Sequence, residues 1–227
     1  MISIRPDTLD TADGVGQASW FASLGAAHQA LVRATAVERS VAAGDPVART
    51  GEASSHWIGV VRGFLHMSVT APDGTETALH YLRDGEWGGE GSILKREPRR
   101  YDVVAVQPSR VCLVPADTFD RLHAESIAFN HFLLSNLNER MSVVTGLLEA
   151  ARLQKPDVRV ARCLAMLVAG HPSSRLTLAQ HQLANLCGLS RQRTNSALRN
   201  LKLKGLLRLE GQCIHITSAQ SMSAYSG

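Results

Sequence analysis

The sequence predicts an α+β chain in three parts: an N-terminal β-roll of the double-stranded jelly-roll type at residues 1–125, a long helix at 126–154, and a winged helix-turn-helix at 155–227. Three observations carry this. Short β-type runs punctuated by Gly, Pro and Asp fill residues 34–115. A helical apolar spacing then runs from Ser126 to about Gln154, and two short helical segments around Cys187-Gly188-Leu189 precede a glycine-centred hairpin.

Taken in order, Trp20, Phe21, Leu24, His28 and Leu31 recur at helical spacing, so Gln17–Arg33 reads as a helix packed on the region that follows. The strand candidates are Val37–Val41, Pro46–Arg49, Trp57–Val61, Phe64–Thr70, Thr75–Leu82, Tyr101–Val106 and Arg110–Val114. Turn signals stand between them at Gly44-Asp45-Pro46, Arg62-Gly63, Pro72-Asp73-Gly74 and Asp84-Gly85. Many short strands with regular turns predict a roll rather than a parallel sheet.

Asp117–His123 reads as a short helix and Ser126–Gln154 as a long one. Along it Leu137, Met141, Val144, Leu148 and Ala151 follow a 4-3-4-3 spacing, the seam of a helix that pairs with a second copy. Leu133, Leu134, Val143 and Leu147 form a second apolar stripe, assigned to the roll. Lys155-Pro156-Asp157 interrupts the pattern because proline cannot continue a helix interior, which predicts a hinge. A helix resumes at Val158–Ala169, followed by a loop at Gly170-His171-Pro172-Ser173-Ser174.

Ser190 is placed to cap the second helix of the motif, and Gly205 ends it. Thr194, Ala197, Leu198 and Leu201 make its buried face. Arg191, Gln192, Arg193, Asn195, Ser196 and Arg199 are the candidate DNA-binding residues, being side chains that can bond base edges and phosphates from a helix in a major groove. Leu206–Leu209 and Cys213–Thr217 around Glu210-Gly211-Gln212 form the wing. The first helix has a flaw: Ala179 stands where a Ser or Thr cap is expected.

Charge agrees with this division. Residues from Lys155 onward carry ten Lys and Arg against Asp157 and Glu210, a net +8, whereas the preceding residues are net −4. A basic module behind a mildly acidic one fits a phosphate-binding domain attached to a sensor. No apolar run approaches the ~18 residues that span a bilayer, and MISIRPDTLDTADGVGQ is too polar for a secretory signal, so the expected location is the cytoplasm. The four cysteines are widely spaced without a CxxC pair, which predicts buried reduced thiols and no metal or iron–sulfur cluster. A metal-dependent cupin-type enzyme is the alternative from another class. His56, His66 and His80 lack its ligand spacing, and no G-x-S-x-G, H-E-x-x-H or P-loop is present, so no enzyme is expected.

Roll, long helix, hinge and winged helix-turn-helix in this order resemble the Crp/Fnr family of bacterial transcription regulators. The likeness runs from about Trp20 to Met222, and its strongest signature is LANLCGLSRQRTNSALRNLKLKGLL. The resemblance implies a homodimer on a pseudo-palindromic site in double-stranded DNA, in contact with RNA polymerase. It puts the base-reading positions at Arg191, Gln192 and Ser196. It also implies an effector in the roll, held by the cassette from Gly85 to Asp102. Gly89, Glu90, Gly91, Arg100 and Tyr101 are its ligand-binding candidates, with Val144 and Thr145 on the long helix. In that cassette an arginine neutralises a cyclic phosphate and a carboxylate accepts a ribose hydroxyl. Tyr101 and Asp102 depart from the small residues expected after the arginine, crowding and repelling a phosphate. Three readings therefore stand: cyclic AMP, another ligand such as a cyclic dinucleotide, or a regulator that needs no small ligand.

Overall fold

Alternation of inward and outward side chains builds two sheets, and both faces of one of them are covered. The structure, a computed structural model, describes residues 14–227 except Thr75, Gln154, residues 170–173 and Gln212. The strands of the roll are β1 (Val37–Val41), β2 (Pro46–Ala48), β3 (His56–Arg62), β4 (Phe64–Thr70), β5 (Glu76–Arg83), β6 (Trp87–Gly88), β7 (Asp102–Ala105) and β8 (Ser109–Pro115). They form one sheet in the order β1-β8-β3-β6 and another in the order β2-β7-β4-β5. The predicted roll is therefore observed, with β6 added, a two-residue strand too short to leave a periodicity.

Strand β3 explains the two cores. Its Ile58 and Val60 enter a cluster with Val41, Leu65, Met67, Leu82, Val103 and Val111. Its Trp57 points the other way, into an aromatic cluster with Trp20, Trp87, Phe119 and Phe129. Successive strand residues face opposite sides, so a strand covered on both reads as unbroken apolar sequence. Gly59 is required there, because a Cβ would come within 2.6 Å of the Trp87 indole. The outer layer over Trp57 comes from α1 (Ser19–Ala22), α2 (Ala26–Thr35), α4 (Ala116–Glu125) and the start of α5 (Ile127–Leu153). The single helix expected at Gln17–Arg33 is thus two. Gly25 is extended, with φ −64° and ψ 155°, and breaks it. A short helix not foreseen, α3 (Glu90–Lys95), lies in the Gly85–Asp102 cassette.

The chain divides into two compact units, one of residues 1–69 and 79–136, the other of residues 70–78 and 137–227. The second unit holds the rest of α5, then α6 (Pro156–Val168), β9 (Arg175–Thr177), α7 (Gln180–Cys187), α8 (Arg191–Leu203), β10 (Leu207–Glu210), β11 (Cys213–Ile216) and α9 (Ala219–Ala224). The wing is three-stranded, in the order β10-β11-β9, because Arg175–Thr177 pairs antiparallel with β11. Gln212 in its turn, residues 170–173 of the predicted loop, and Gln154 lie outside the described residues, as do the side chains of Leu147 and Ala151.

Helix α5 corrects one stripe. Leu133 is buried beside Phe129 as expected, but Leu134 is 65% exposed and does not pack on the roll. At 100° per residue Leu134 falls in line with Leu137, Met141, Val144 and Leu148, all of them exposed. Leu134 thus joins the exposed seam at its N-terminal end, and Phe129 and Phe132 supply the packing assigned to it.

Candidate nucleic-acid interface and effector pocket

The α7–α8 turn is set by local chemistry. Gly188 takes the left-handed conformation, φ 60°, that ends α7, and the Leu189 N–H donates to the Ala184 carbonyl at 2.9 Å. The Ser190 hydroxyl accepts the Arg193 N–H at 3.3 Å, so the expected cap is present. Arg159 of α6 donates to the carbonyls of Cys187 and, at 3.2 Å, of Gly188, which pins the turn against α6. At the other end of α7 the missing cap is partly replaced. The Gln182 side chain accepts the Ala179 N–H at 2.9 Å, one half of a capping box whose other half alanine has no oxygen to make.

Thr194, Ala197, Leu198 and Leu201 are buried, as the spacing predicts. Arg191, Gln192, Arg193, Ser196 and Arg199 are all exposed on α8. Asn195 is not with them: it is half-buried, and its Oδ1 is buried with no hydrogen-bond partner among the described residues. It sits on the flank of the helix, three residues before Leu198, rather than at its outward centre. Two hollows flank α8. One, of about 310 Å³, is lined by Arg191, His181 and the wing residues Leu209 and Gly211. The other, of about 480 Å³, is lined by Gln192, Arg193, Ser196 and Asn200 together with Lys155, Pro156 and Asp157. Lys155, His181 and Asn200 line these hollows and were not among the residues the sequence singled out. Asn200 lies four residues after Ser196 and was open to the same helical count.

In the first unit the cassette is arranged differently from its spacing. Glu90 is fully buried and accepts the Trp57 indole N–H at 3.3 Å. Arg100 does not face it: this side chain is exposed and pairs with Glu97 at 3.0 Å. Arg99 is the inward arginine, 4% exposed. Its guanidinium packs on Gly89, where a Cβ would lie 2.7 Å from Nη1, and donates to the His56 carbonyl. Its Nη1 is buried without a hydrogen-bond partner among the described residues. Burial lowers the Arg99 pKa, while Tyr101, Glu52 and Glu90 oppose that shift. Burial first, and then Arg99 and Arg39, lowers the pKa of His56.

The backbone of Arg99 is held against the loop before β3: its N–H donates to the Glu52 carbonyl at 2.9 Å and its carbonyl accepts the Gly51 N–H at 2.8 Å. Arg100 lies in the bend that follows, before β7 begins at Asp102. The Asp102 carboxylate accepts the Thr50 N–H at 2.6 Å. Tyr101 is half-buried and hydrogen-bonds Arg99. Gly91 is half-buried in α3. Val144 and Thr145 are exposed on α5 and belong to the second unit.

The four cysteines are free and buried. Among the described residues no group of three or more His, Cys, Asp or Glu could hold a metal ion, and no helix is long and apolar enough to cross a membrane.

With this geometry in hand, residues 38–126 match the cyclic nucleotide-binding domain family and residues 158–225 the Crp-like helix-turn-helix domain family. The CRP-like cAMP-activated global transcriptional regulator of Mycobacterium tuberculosis is 26% identical over 187 residues, covering 79% of this chain and 84% of that protein. The structure of FixK2 from Bradyrhizobium japonicum superposes with a TM-score of 0.73 at 18% identity, over 83% of this chain and 96% of its own. A CRP/FNR family transcriptional regulator from Thermus thermophilus gives 0.65 at 19% identity, over 84% and 100%.

Proposed function

Because this chain belongs to the Crp/Fnr family of transcription regulators, we propose that it is a cytoplasmic homodimer that binds a pseudo-palindromic DNA site, contacts RNA polymerase there, and has its DNA affinity set by an effector in the roll. The observation that carries the reading is α8: one face locked by Thr194, Ala197, Leu198 and Leu201, the other presenting Gln192, Ser196 and Arg199 to solvent. A rigid helix with exposed hydrogen-bonding side chains is what major-groove readout requires. The exposed seam of α5 supports the dimer.

Arg191 forks onto guanine O6 and N7, and Gln192 pairs with adenine N6 and N7. Ser196 is too short to replace a longer reader at its position. Selection of bound duplexes from a random pool is expected to return half-sites unlike those of the cyclic-AMP regulators, and Gln192→Glu should move the preference at one position from adenine to cytosine. An unchanged preference in that variant would remove Gln192 from the reading set.

For the effector, the name of the mycobacterial relative points to cyclic AMP. The residues present fit such a ligand in part. Arg99, buried with one unpaired nitrogen, would take the phosphate in place of Arg100, and Glu90 a hydroxyl. The competing reading, a regulator that needs no small ligand, is supported by the bonds these groups already make, Glu90 with Trp57 and Arg99 with His56. Thermal-shift titrations with cyclic AMP and with a cyclic dinucleotide separate them. Stabilisation that survives Arg100→Ala and is lost in Arg99→Ala is the expected result. No shift with either ligand, and DNA binding undiminished without them, would establish the ligand-free reading.

A further inference from the structure

We propose that the end of α3 is a docking surface for an acidic segment of a protein partner, with Leu94 as its apolar centre and Lys95, Arg96 and Arg100 as its cationic rim. The surface lies in the first unit and does not depend on the DNA-binding reading of α8. Its charge runs against its surroundings. The residues before Lys155 are net −4, yet the six positions from Lys95 to Arg100 hold four cations and one acid. Arg99 is buried, but the side chains of Lys95 and Arg100 are 66% and 73% exposed, and both share the Glu97 carboxylate, at 3.7 and 3.0 Å. The face therefore keeps an excess of positive charge.

The backbone singles out the same place. Among the described residues Arg96 is the one non-glycine residue with a positive φ, at 54° with ψ 42°. It ends α3 in the left-handed conformation: its N–H donates to the Ile93 carbonyl at 2.9 Å, and the Glu97 N–H donates to the Ser92 carbonyl at 3.1 Å. That position favours glycine, because a Cβ there crowds the following carbonyl. Gly188 fills the corresponding position after α7. At Arg96 a long cation stands where local stability asks for no side chain, and departures of this kind concentrate at functional positions.

The surface is also fixed in place. Ile93 anchors α3 in the aromatic cluster of Trp57 and Trp87, and the Ser54 hydroxyl donates to the Glu97 carbonyl at 3.1 Å. A partner meets a preorganised backbone, so little ordering is needed on binding. Leu94, 37% exposed, and the exposed Pro98 decide the class of partner. A phosphate backbone would use the cations and leave Leu94 in water. An acidic peptide with one large apolar side chain covers both, its carboxylates meeting the rim.

The test is fluorescence anisotropy of the full-length protein with an array of short labelled peptides in which Asp and Glu flank a leucine or phenylalanine. Matched peptides with serine at the apolar position, and an unrelated DNA duplex, are measured beside them. The acidic apolar peptides are expected to bind, with affinity falling as salt rises. Lys95→Ala and Leu94→Ser should each weaken them about tenfold, and serine in the peptide should do the same. Arg96→Gly separates a docking role from a structural one: it should melt at a higher temperature and yet bind the peptides more weakly, while Arg96→Lys keeps the affinity. Should Leu94→Ser melt early, Leu94→Ala reads the apolar contact. A wild type that binds none of the peptides, or an Arg96→Gly variant that binds them as well as the wild type, overturns the proposal. Duplex binding that is lost in Lys95→Ala also overturns it, by making the surface one for nucleic acid.

Discussion

Met141→Glu is expected to turn the proposed dimer into a monomer and to lower affinity for a two-half-site duplex by at least ~100-fold, the scale on which two linked contacts exceed one. Met141 is 65% exposed at the middle of the seam Leu134, Leu137, Met141, Val144 and Leu148, five apolar side chains recurring at steps of three and four. Exposed apolar residues at such a spacing on one long helix support the pairing surface proposed above. Glutamate is as good a helix former as methionine, so the helix survives, but in a two-stranded seam it would set two carboxylates against each other in an apolar layer. Light scattering after size exclusion reads the mass, and Met141→Leu serves as the volume-conserving control. If Met141→Glu still elutes as a dimer, the partner surface lies elsewhere. The half-site spacing of about one DNA turn, ~34 Å, then has to be imposed by something other than α5.

Trp57→Ala should destabilise the first unit by about 3–5 kcal/mol, read as a lower urea midpoint at unchanged slope. Trp57 is fully buried, with ring centroids at 4.4 Å from Trp87, 5.1 Å from Trp20, and 5.5 Å from both Phe119 and Phe129. Removing it opens a cavity among rings that cannot close in, and also strips the Glu90 carboxylate of the indole N–H at 3.3 Å. Trp57→Phe separates the two contributions: it keeps most of the volume and loses the hydrogen bond, for about 1 kcal/mol. A loss below about 1 kcal/mol in Trp57→Ala would mean that the aromatic cluster rearranges, contrary to the close packing described.

Strands and helices that carry a period were legible in the chain. Val37–Val41 and Phe64–Thr70 have the predicted bounds; Gly63 stands before the second, and the turn signals Gly44-Asp45-Pro46 and Pro72-Asp73-Gly74 follow them. The buried face of α8 and its Ser190 cap were legible for the same reason, a spacing and a side chain that act within a few residues. Three short elements, each too brief to repeat its pattern, were not. β6 has two residues, β9 has three, and α3 is a six-residue helix that begins just after a left-handed Gly89.

Sequence alone thus determined everything governed by local chemistry: the roll, the long helix broken at Pro156, the capped reading helix and the basic character of its domain. Tertiary structure decided between neighbours that local chemistry cannot tell apart. Arg99 and Arg100 are the same residue type one position apart, and it is Arg99 whose backbone is paired with Gly51 and Glu52 and whose side chain is buried, while Arg100 in the following bend is exposed. Leu133 and Leu134 differ in the same way on α5, where one step of 100° separates the core from the exposed seam. Asn195 and Asn200 differ likewise on α8, the first half-buried and the second exposed. Lys155 joins Gln192 only when α6 folds back beside α8, a juxtaposition across 37 residues that no local spacing encodes.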